Sequence, residues 1–417
     1  MKFTIIGGGF AGVKLALELA KNEDNKITII TDRDTFQYYP TLYNSATGRS
    51  RDESWMSLGL IFGNYDNVHV TLDQIIGIDH VNKEVVGLSE ERYPYTTLVI
   101  AVGMVTTYFG IPGMDQYSYG IKSAGEIRAL KERIAHDLVE TKQLDQNYVI
   151  IGSGPTGTEL AGALKTYLNK LAKQYGVKRP RVNIRLIEAA PRVLPRSHER
   201  VSARVHKRLE KLGVEVQTGV MVEKATAETV IAGGRPIATH TVIWTSGVTN
   251  NPIFAAHPEL FRLAPNGKVI VNERMQAARN IYVLGDNAAT PHSGLAQTAL
   301  YDAQFVATNI LRQQKGKKLK AYKAKQPISV IPVGQNWAAF EWHNIRLYGR
   351  IASTLRRLGD LHGYMSFLPF IQALQPWMAS TVYERDFFAP ARLARRNKRA
   401  AKRSMKRTKR PEVQPET

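Results

Sequence analysis

The chain has 417 residues, of which 43% are apolar and 22% charged, so it can form two or three domains with a sizeable core. It has no cysteine, which excludes disulfides, thiolate nucleophiles, cysteine-ligated zinc and iron–sulfur clusters. The net charge is +21, and residues 392–410 alone hold eleven Lys or Arg and no acid. The ten histidines form no HExxH pattern and no close pair, so no metal site is expected. The apolar run at the start is too short for a signal peptide, which predicts a cytoplasmic origin.

The first predicted unit is a strand, a glycine loop and a helix in KFTIIGGGFAGVKLALELA. Gly7, Gly9 and Gly12 have the spacing Gly-x-Gly-x-x-Gly. In this motif the first glycine permits a tight turn, the second lets the backbone approach a pyrophosphate, and the third packs helix on strand. KITIITDRD then predicts a second strand that ends at Asp32, where a carboxylate can bind the hydroxyls of an adenosine ribose. The pattern predicts a dinucleotide-binding fold.

The same plan recurs in YVIIGSGPTGTELAGALKTYL, with Gly152, Gly154 and Gly157. The strand predicted from VNIRLIEAA ends at Glu188, farther from its glycine loop than is usual, and a lengthened helix and loop account for the distance. A carboxylate at this place accepts hydrogen bonds from a ribose 2′-hydroxyl and repels a 2′-phosphate. The second unit is therefore predicted to bind NADH in preference to NADPH.

Together the two units resemble the two-dinucleotide-binding-domain flavoproteins, in which FAD lies in the first unit and NAD(P)H in the second. Three further stretches match this family: TTLVIAVG (Thr96–Gly103), VIWTSGV (Val242–Val248) and NIYVLGDNA (Asn280–Ala288). The first two are similar to the strands that cross between the units, and the third to a second FAD fingerprint. The resemblance covers about residues 1–310 and implies an α/β fold of two Rossmann-like domains, with the FAD domain interrupted by the NADH domain.

The missing cysteines exclude the relatives that pass electrons to a cysteine pair, namely disulfide reductases, cysteine-based peroxidases and sulfide:quinone reductases. A quinone, a small electron-transfer protein or oxygen then remains as the acceptor. YYPTLYNSATG (Tyr38–Gly48) and SGLAQTALYDAQFVATNI (Ser293–Ile310) resemble segments of the type II NADH dehydrogenases. The second matches that family's AQxA helix beside the flavin at Ala296, Gln297, Ala299 and Asn309. In the family this Gln helps line the quinone pocket, and a second Gln follows where this chain has Tyr301.

The resemblance implies a set of site residues. For FAD they are Gly7, Gly9, Phe10, Ala11, Gly12, Asp32, Arg33, Thr47, Ala101, Gly103, Gly285, Asp286 (at the ribityl chain), Ala296 and Gln297. For NADH they are Gly152, Gly154, Pro155, Thr156, Gly157, Glu159, Glu188, Ser246 and Gly247. Catalytic roles fall to Glu159, Gln297 and Tyr301. Glu159 would orient the nicotinamide or assist protonation on the quinone side, or it could simply complement its helix dipole. Gln297 could likewise be a polar residue at a helix start that contacts only backbone.

The C-terminal third changes in character. QPISVIPVGQNWAAFEW predicts two short strands, and IRLYGRIASTLRRLG predicts a helix. Its apolar face would hold Leu347, Ile351, Leu355 and Leu358. The uncharged stretch 363–383 predicts a helix lying in the headgroup plane of a membrane, with an apolar face of Phe367, Ile371, Leu374 and Met378. A packed core or dimer helix and a single membrane span are the alternatives.

Five segments are predicted. The FAD domain comprises 1–118 and 251–322, the NADH domain 119–250, the membrane-associating strands and helices 323–390, and the basic tail 391–417. The predicted function is a peripheral enzyme on the cytoplasmic side of the cell membrane, which moves a hydride from NADH to FAD and two electrons to a quinone without proton pumping. The alternatives are a soluble NADH-dependent reductase of a small electron-transfer protein or oxygen, and a flavoprotein with a nucleic-acid-binding tail. The tail lacks interleaved aromatics, which disfavours nucleic acid. A homodimer is left open.

Overall fold

The structure is a computed structural model that describes residues 1–141, 143–177 and 182–384. Residues 385–390 and the predicted basic tail at 391–417 lie outside the described residues. Elsewhere the strands and helices form two similar α/β units and a smaller C-terminal unit.

The elements fall into four groups along the chain. The first group contains β1 (Lys2–Ile6), α1 (Phe10–Ala20), β2 (Lys26–Thr31), β3 (Thr35–Gln37), α2 (Leu42–Ala46), β4 (Trp55–Ser57), α3 (Leu58–Phe62), β5 (Val68–Leu72), β6 (Ile75–Asp79), β7 (Glu84–Gly87), β8 (Arg92–Pro94), β9 (Thr97–Ile100), β10 (Met104–Thr106) and α4 (Met114–Tyr117). The second contains β11 (Ser118–Tyr119), α5 (Ala124–His136), β12 (Asn147–Ile151), α6 (Pro155–Tyr175), β13 (Asn183–Glu188), α7 (Glu199–Lys211), β14 (Val214–Thr218), β15 (Val222–Ala225), β16 (Thr229–Ala232), β17 (Arg235–Ala238), β18 (Thr241–Trp244) and β19 (Val248–Asn250). The third contains α8 (Pro252–Ala255), β20 (Gln276–Ala278), β21 (Ile281–Val283) and α9 (Ala296–Gln314). The last contains β22 (Ser329–Pro332), β23 (Ala338–Trp342), β24 (Ile345–Gly349), α10 (Arg350–Met365) and α11 (Phe370–Ala379).

The first sheet has the strand order β20-β21-β9-β1-β2-β5 and is parallel except for β20. β9 is buried along its whole length, as its continuous apolar sequence predicts for an inner parallel strand. The two helices α1 and α9 pack against each other. Because the carboxyl ends of parallel strands meet at one edge, the loops after β1, β2, β9 and β21 come together there.

The second sheet has the order β11-β18-β12-β13-β14 and is parallel throughout. α6 is 21 residues long, which agrees with the lengthened helix expected from the sequence. The antiparallel pair β10–β19 joins the two units, with Val105 opposite Thr249. The Rossmann-like fold class is therefore confirmed for both units, while the domain limits given above remain predictions.

The C-terminal unit differs from the sequence analysis at its start. Residues 345–349 form β24, which pairs with β23 in an antiparallel sheet of β22, β23 and β24. The expected helix begins only at Arg350, after Gly349 with a φ of 85°. The prediction of a helical face containing Leu347 was therefore wrong. Pairing with β23 provides hydrogen-bond partners for the backbone of residues 345–349. A helix over these residues would have to continue across Gly349, whose positive φ is not helical.

The predicted face around Phe367 was also partly wrong. α10 ends at Met365, and α11 starts at Phe370 after Pro369, so one helical period does not run through residues 363–383. Phe367 turns inward and packs 4.3 Å from Phe36 and 5.5 Å from Phe10, measured between ring centroids. Ile371 and Met378 remain exposed. Among the described helices, none is both long enough and apolar enough to cross a membrane.

Candidate active site

The first glycine loop has the shape that a dinucleotide phosphate requires. Gly7 has a φ of 109°, and a side chain there would collide with the carbonyl oxygen of Ala101 after β9. A side chain at Gly12 would collide with the carbonyl oxygen of Gly7. At Gly9, by contrast, a Cβ would meet no atom within 4 Å, and Gly9 caps α1 without a side chain. The open space lies at the positive end of a helix and fits a pyrophosphate.

Asp32 follows β2 and presents an ionised carboxylate at the same edge. Arg33 donates from Nε to Oδ1 of Asp32 at 2.9 Å and from Nη2 to Oδ2 at 2.8 Å. These hydrogen bonds hold the pKa of Asp32 below its usual value. Arg33 also donates to Oε1 of Gln37 at 3.0 Å, so the guanidinium fixes the direction of the carboxylate. About half of the Asp32 side chain is exposed, which leaves it open to a ribose hydroxyl.

The loop after β21 joins the two parts of the first unit. Asn287 is buried; its Oδ1 accepts from the backbone N–H of Gly103, and its Nδ2 donates to the carbonyl of Gly103, both at 2.8 Å. Nδ2 also donates to Oδ1 of Asn250 at 2.7 Å. Burial raises the pKa of the neighbouring Asp286, and the charge of Lys268 opposes that shift. The sequence analysis missed Asn287, although it directly follows Asp286 in the fingerprint.

Of three other residues expected at FAD, Phe10 and Ala11 lie beside the glycine loop and Thr47 lies after α2. Phe10 and Ala11 begin α1 and are buried, and a Cβ placed on Gly285 would be 3.4 Å from the Cβ of Ala11. Thr47 follows α2, is buried and donates its hydroxyl to the carbonyl of Tyr43 at 2.8 Å. α1 therefore packs directly under the Gly285 loop, while a contact between Thr47 and FAD stays a prediction.

The second glycine loop repeats the geometry of the first. Gly152 has a φ of 97°, and a Cβ there would be 2.8 Å from the Cβ of Ser246, in the loop after β18. A side chain at Gly157 would collide with the carbonyl oxygen of Gly152. A Cβ at Gly154 would meet no atom within 4 Å, and Pro155 and Thr156 open α6 directly after it. The structure thus brings the loop before Gly247 against a second phosphate cradle.

Glu188 lies beside the second glycine loop and accepts hydrogen bonds from Ser153 in it. Its Oε2 accepts from the backbone N–H of Ser153 at 2.7 Å and from the Ser153 hydroxyl at 2.8 Å. Its Oε1 accepts from the backbone N–H of Ala190 at 2.9 Å. The carboxylate therefore lies at the end of β13 beside the glycine loop, where the sequence analysis placed the ribose acid.

Glu159 is buried in α6 and forms an ion pair that sequence reasoning did not find. Nη1 of Arg356, from α10, lies 3.3 Å from Oε1 of Glu159. Burial raises the pKa of Glu159 to about 7, although the charge of Arg356 opposes the shift. An acid that only complements its helix dipole would not need this contact with Arg356. The residue is poised to hold or release a proton near neutral pH.

Arg356 connects three parts of the chain at this point. Its Nε lies 3.0 Å from Oδ2 of Asp360, its Nη1 donates to the carbonyl of Val330 at 2.7 Å, and its Nη2 donates to the carbonyl of Pro40. Tyr38 donates to the other oxygen of Asp360 at 3.3 Å. The guanidinium therefore ties the first unit, the second unit and β22 together, and it satisfies several buried polar groups at once.

The start of α9 faces the segment that leads into β22. The amide of Gln297 donates to the carbonyl of Ile328 at 3.1 Å and accepts from its N–H at 2.9 Å. The Tyr301 hydroxyl donates to the carbonyl of Lys323 at 2.9 Å, and the ammonium of Lys325 lies 4.4 Å from the centre of its ring. Gln297 thus contacts backbone, as its alternative interpretation predicted. Arg356 donates to the carbonyl of Val330, two residues after Ile328, so Gln297 and Arg356 contact the same segment.

Comparison with known proteins agrees with this geometry. The family described as pyridine nucleotide-disulphide oxidoreductase matches residues 1–303. A type II NADH:quinone oxidoreductase, NdhA of Mycobacterium tuberculosis, is 30% identical over 341 residues, which are 76% of this chain and 72% of that protein. The chain belongs to the type II NADH:quinone oxidoreductases. The Staphylococcus epidermidis type II enzyme is 25% identical over 382 residues, 86% of this chain and 94% of that protein.

Solved structures support the fold of this type II NADH:quinone oxidoreductase. The structure of NDH2 from Plasmodium falciparum in complex with NADH has a TM-score of 0.80 at 17% identity, over 93% of this chain and 99% of that one. A sulfide:quinone oxidoreductase from Aquifex aeolicus has a TM-score of 0.72 at 20% identity, over 86% of this chain and 89% of that one. The predicted family, the cofactors FAD and NADH, and the NADH:quinone oxidoreductase activity are confirmed.

Proposed function

We propose that this type II NADH:quinone oxidoreductase is a peripheral membrane enzyme with its acceptor site beside residues 328–330, which contact Gln297 of α9 and Arg356 of α10. The observation that carries the proposal is the segment 328–330. It is held on one side by Gln297 and on the other by Arg356, which also holds the buried carboxylate of Glu159. Gln297 and, through Arg356, the buried carboxylate of Glu159 are thus linked to one short backbone segment.

The first unit would hold FAD, and the second NADH. Gly9 and Gly154 leave the two phosphate cradles open, and Asp32 and Glu188 lie at the ribose ends of the adjoining strands. Gly103, Asp286 and Ala296 follow β9, follow β21 and begin α9, respectively, and would contact FAD there. FAD, when bound, accepts a hydride from NADH and passes two electrons to the quinone. The protein's part is to bind and orient both cofactors and to exclude water.

Glu159 supplies the proton-holding part of the proposal. Quinone reduction to a quinol consumes protons, and a carboxyl group with a pKa of about 7 is partly protonated at neutral pH. The side chain of its neighbour Asp360 is only 17% exposed, and burial raises the pKa of that carboxyl. Arg356 pairs with both Glu159 and Asp360, and its positive charge opposes the rise in the pKa of each acid. We assign Glu159 the role of holding a proton beside the acceptor site.

The membrane contact is assigned to the exposed face of α10 and α11. Ile351 and Ile371 are 67% and 81% exposed, and Leu358 and Met378 extend the same apolar surface. Arg357 lies 4.6 Å above the ring of Trp377, which fixes α11 on α10. Apolar side chains beside positive charges fit the headgroup region of an anionic bilayer. The eleven Lys or Arg of residues 392–410 would add attraction on the cytoplasmic side.

The exposed face also weighs against the soluble alternative. A soluble monomeric reductase would bury this stretch in its core, yet only one side of α11 is buried, at Ala373, Pro376 and Ala379. The function is tested by comparing acceptors with purified holoenzyme and NADH. A quinone analogue should turn over faster than a small electron-transfer protein or oxygen at equal concentration. Faster turnover with either of the other acceptors would refute the proposed acceptor site.

A further inference from the structure

α9 carries a buried carboxylate that the reaction described above does not use. Asp302 is fully buried. Its Oδ2 accepts from the backbone N–H of Gly285 at 3.2 Å, and its Oδ1 accepts from the hydroxyl of Tyr322 at 2.6 Å. One side chain therefore joins the FAD fingerprint after β21 to the linker between α9 and β22.

The position of Gly285 is tightly restricted. It has a φ of 65°, and a Cβ there would be 3.4 Å from the Cβ atoms of both Ala11 and Ala299. The residue thus lies between α1 and α9 at van der Waals distance from both, and its positive φ favours glycine. Asp302 fixes the remaining freedom of this peptide by accepting from its N–H.

Asp286, the expected ribityl contact, lies between two such anchors. Asp302 holds the peptide before it, and the side chain of Asn287 after it holds both backbone groups of Gly103. A carboxylate that must meet a ligand hydroxyl benefits from a backbone fixed on both sides, because binding then orders fewer groups. The arrangement sets the direction of Asp286 before a ligand arrives.

Stability alone does not explain Asp302. Burial raises the pKa of Asp302 to about 6, although hydrogen bonds from Tyr322 and Gly285 oppose the shift. Since the folded-state pKa lies above the usual 3.8, the contribution of this group to stability is present at low pH and is lost as the pH rises through about 6. At neutral pH the ionised carboxylate therefore destabilises the fold relative to a neutral group of the same shape.

We propose that Asp302 is a positioning residue for FAD, which fixes the Gly285 peptide and thereby the carboxylate of Asp286. Tyr322 fixes Asp302 in turn. Its ring packs 5.2 Å from Phe305, and its backbone N–H donates to the carbonyl of Glu273 at 2.7 Å. The linker between α9 and β22 is thereby part of the FAD site. This inference rests on FAD binding to the first unit.

The test measures FAD retention by full-length variants. In Asp302→Ala the dissociation constant for FAD, measured by fluorescence on titrating apoprotein, should rise tenfold or more. Asp302→Asn should restore binding to within about threefold, because an amide oxygen can accept from Gly285 while its NH₂ donates to Tyr322. It should also melt at the same or a higher temperature than wild type at pH 8, which a purely structural carboxylate would not do.

Three further variants keep the proposal falsifiable if Asp302→Ala does not fold. Tyr322→Phe keeps the ring and should weaken FAD binding by a smaller factor than Asp302→Ala. Gln304→Ala is an exposed control on the same helix and should bind FAD as wild type does. Asn309→Ala removes another contact between α9 and the linker, at the backbone of Lys320, and should leave FAD affinity within about threefold.

Wild-type FAD affinity in both Asp302→Ala and Tyr322→Phe would overturn the proposal. So would an Asp302→Asn variant as weak as Asp302→Ala, or an equal loss in Asn309→Ala, which would indicate general loosening of the linker. The result is separable from the proposed function, because NADH:quinone activity of the wild type is measured independently. A variant reloaded in excess FAD should recover that activity.

Discussion

We expect Glu188, the proposed ribose acid of the second unit, to set the choice between NADH and NADPH. Glu188 accepts hydrogen bonds from the backbone and hydroxyl of Ser153 and from Ala190, so it is oriented before NADH binds. A 2′-phosphate placed next to this carboxylate would be repelled. The wild-type enzyme should therefore prefer NADH to NADPH by tenfold or more in kcat/KM, about 1.4 kcal/mol.

Glu188→Ala should reduce the preference for NADH over NADPH, mainly by lowering kcat/KM for NADH. The control is Ser153→Ala, which removes one hydrogen bond to the same carboxylate oxygen but leaves its charge in place. It should keep the preference for NADH. Steady-state kinetics with both nucleotides decide the matter, and a wild type that prefers NADPH would disprove the assignment.

Glu159 should give the acceptor reaction a pH dependence. Burial raises its pKa to about 7 from the usual 4.5, so the group is protonated at pH 6 and mostly ionised at pH 8.5. Its stabilising contribution is present below about 4.5 and is lost as the pH rises through about 7. If the protonated form serves the quinone, turnover should fall above pH 7 in the wild type.

Glu159→Gln removes that titration and should show a lower rate with no inflection near pH 7. The conservative control is Glu215→Gln, whose side chain is about half exposed on β14. It should follow the wild-type profile. An inflection of unchanged position in Glu159→Gln would show that another group titrates, and the buried Glu53, whose pKa is raised by burial to about 8, would be the next residue to vary.

At the scale of elements, the first turns of α9 should govern electron transfer to the quinone. Gln297→Ala removes two hydrogen bonds to the segment before β22, and Tyr301→Phe removes one. In both variants the flavin absorption should return more slowly when quinone is added to the reduced enzyme. The rate at which NADH bleaches the flavin without oxygen should stay within about twofold of the wild-type rate. Stopped-flow measurements separate the two half-reactions. Equal slowing of both would mean that these side chains support the flavin site.

The exposed face of α10 and α11 should bind anionic vesicles. Ile371→Glu places a charge on this face and forfeits apolar burial of roughly 1.5–3 kcal/mol, so binding should weaken by tenfold or more. Val81→Glu is a matched control, since Val81 is 78% exposed outside this face. Sedimentation with vesicles at low and high salt separates apolar from electrostatic binding. Equal binding by both variants would place the membrane contact elsewhere.

Elements with a strong local signal could be predicted from the sequence, and those set by distant contacts could not. The roles of Gly7, Gly9 and Gly12 depend on backbone shape, and the structure shows a positive φ at Gly7, open space at Gly9 and close packing at Gly12. The strand at 345–349 was mistaken for helix because its apolar spacing also fits a helix, and only the pairing with β23 decides. Phe367 was misplaced because Pro369 divides the uncharged stretch into two helices.

The ion pair at the candidate site shows a second limit. Arg356 lies 197 residues from Glu159 along the chain, and no local pattern links them. The contacts of Asp302 could not be predicted either, because a carboxylate inside an apolar helix pattern does not indicate its partners Gly285 and Tyr322. Motifs therefore predicted which cofactors bind, whereas the charges that tune the site required the tertiary structure.

At the scale of the whole molecule, three regions converge on one site. The two Rossmann-like units each provide a phosphate cradle, and the C-terminal unit provides Arg356 and the exposed helices. In the proposed function, this division gives the C-terminal unit a part in both the acceptor reaction and the membrane contact. In the proposed arrangement, a lipid-soluble quinone would reach the enzyme where its exposed helices contact the bilayer, beside the group proposed to hold a proton.

The most direct test of this account is an anaerobic titration of the yellow holoenzyme, followed through its visible flavin absorption. One equivalent of NADH per FAD should bleach the absorption, and a water-soluble quinone analogue added without oxygen should restore it fully. The account is contradicted if NADH does not bleach the absorption. It is equally contradicted if quinone leaves the bleached enzyme unchanged while oxygen or a small electron-transfer protein restores the colour.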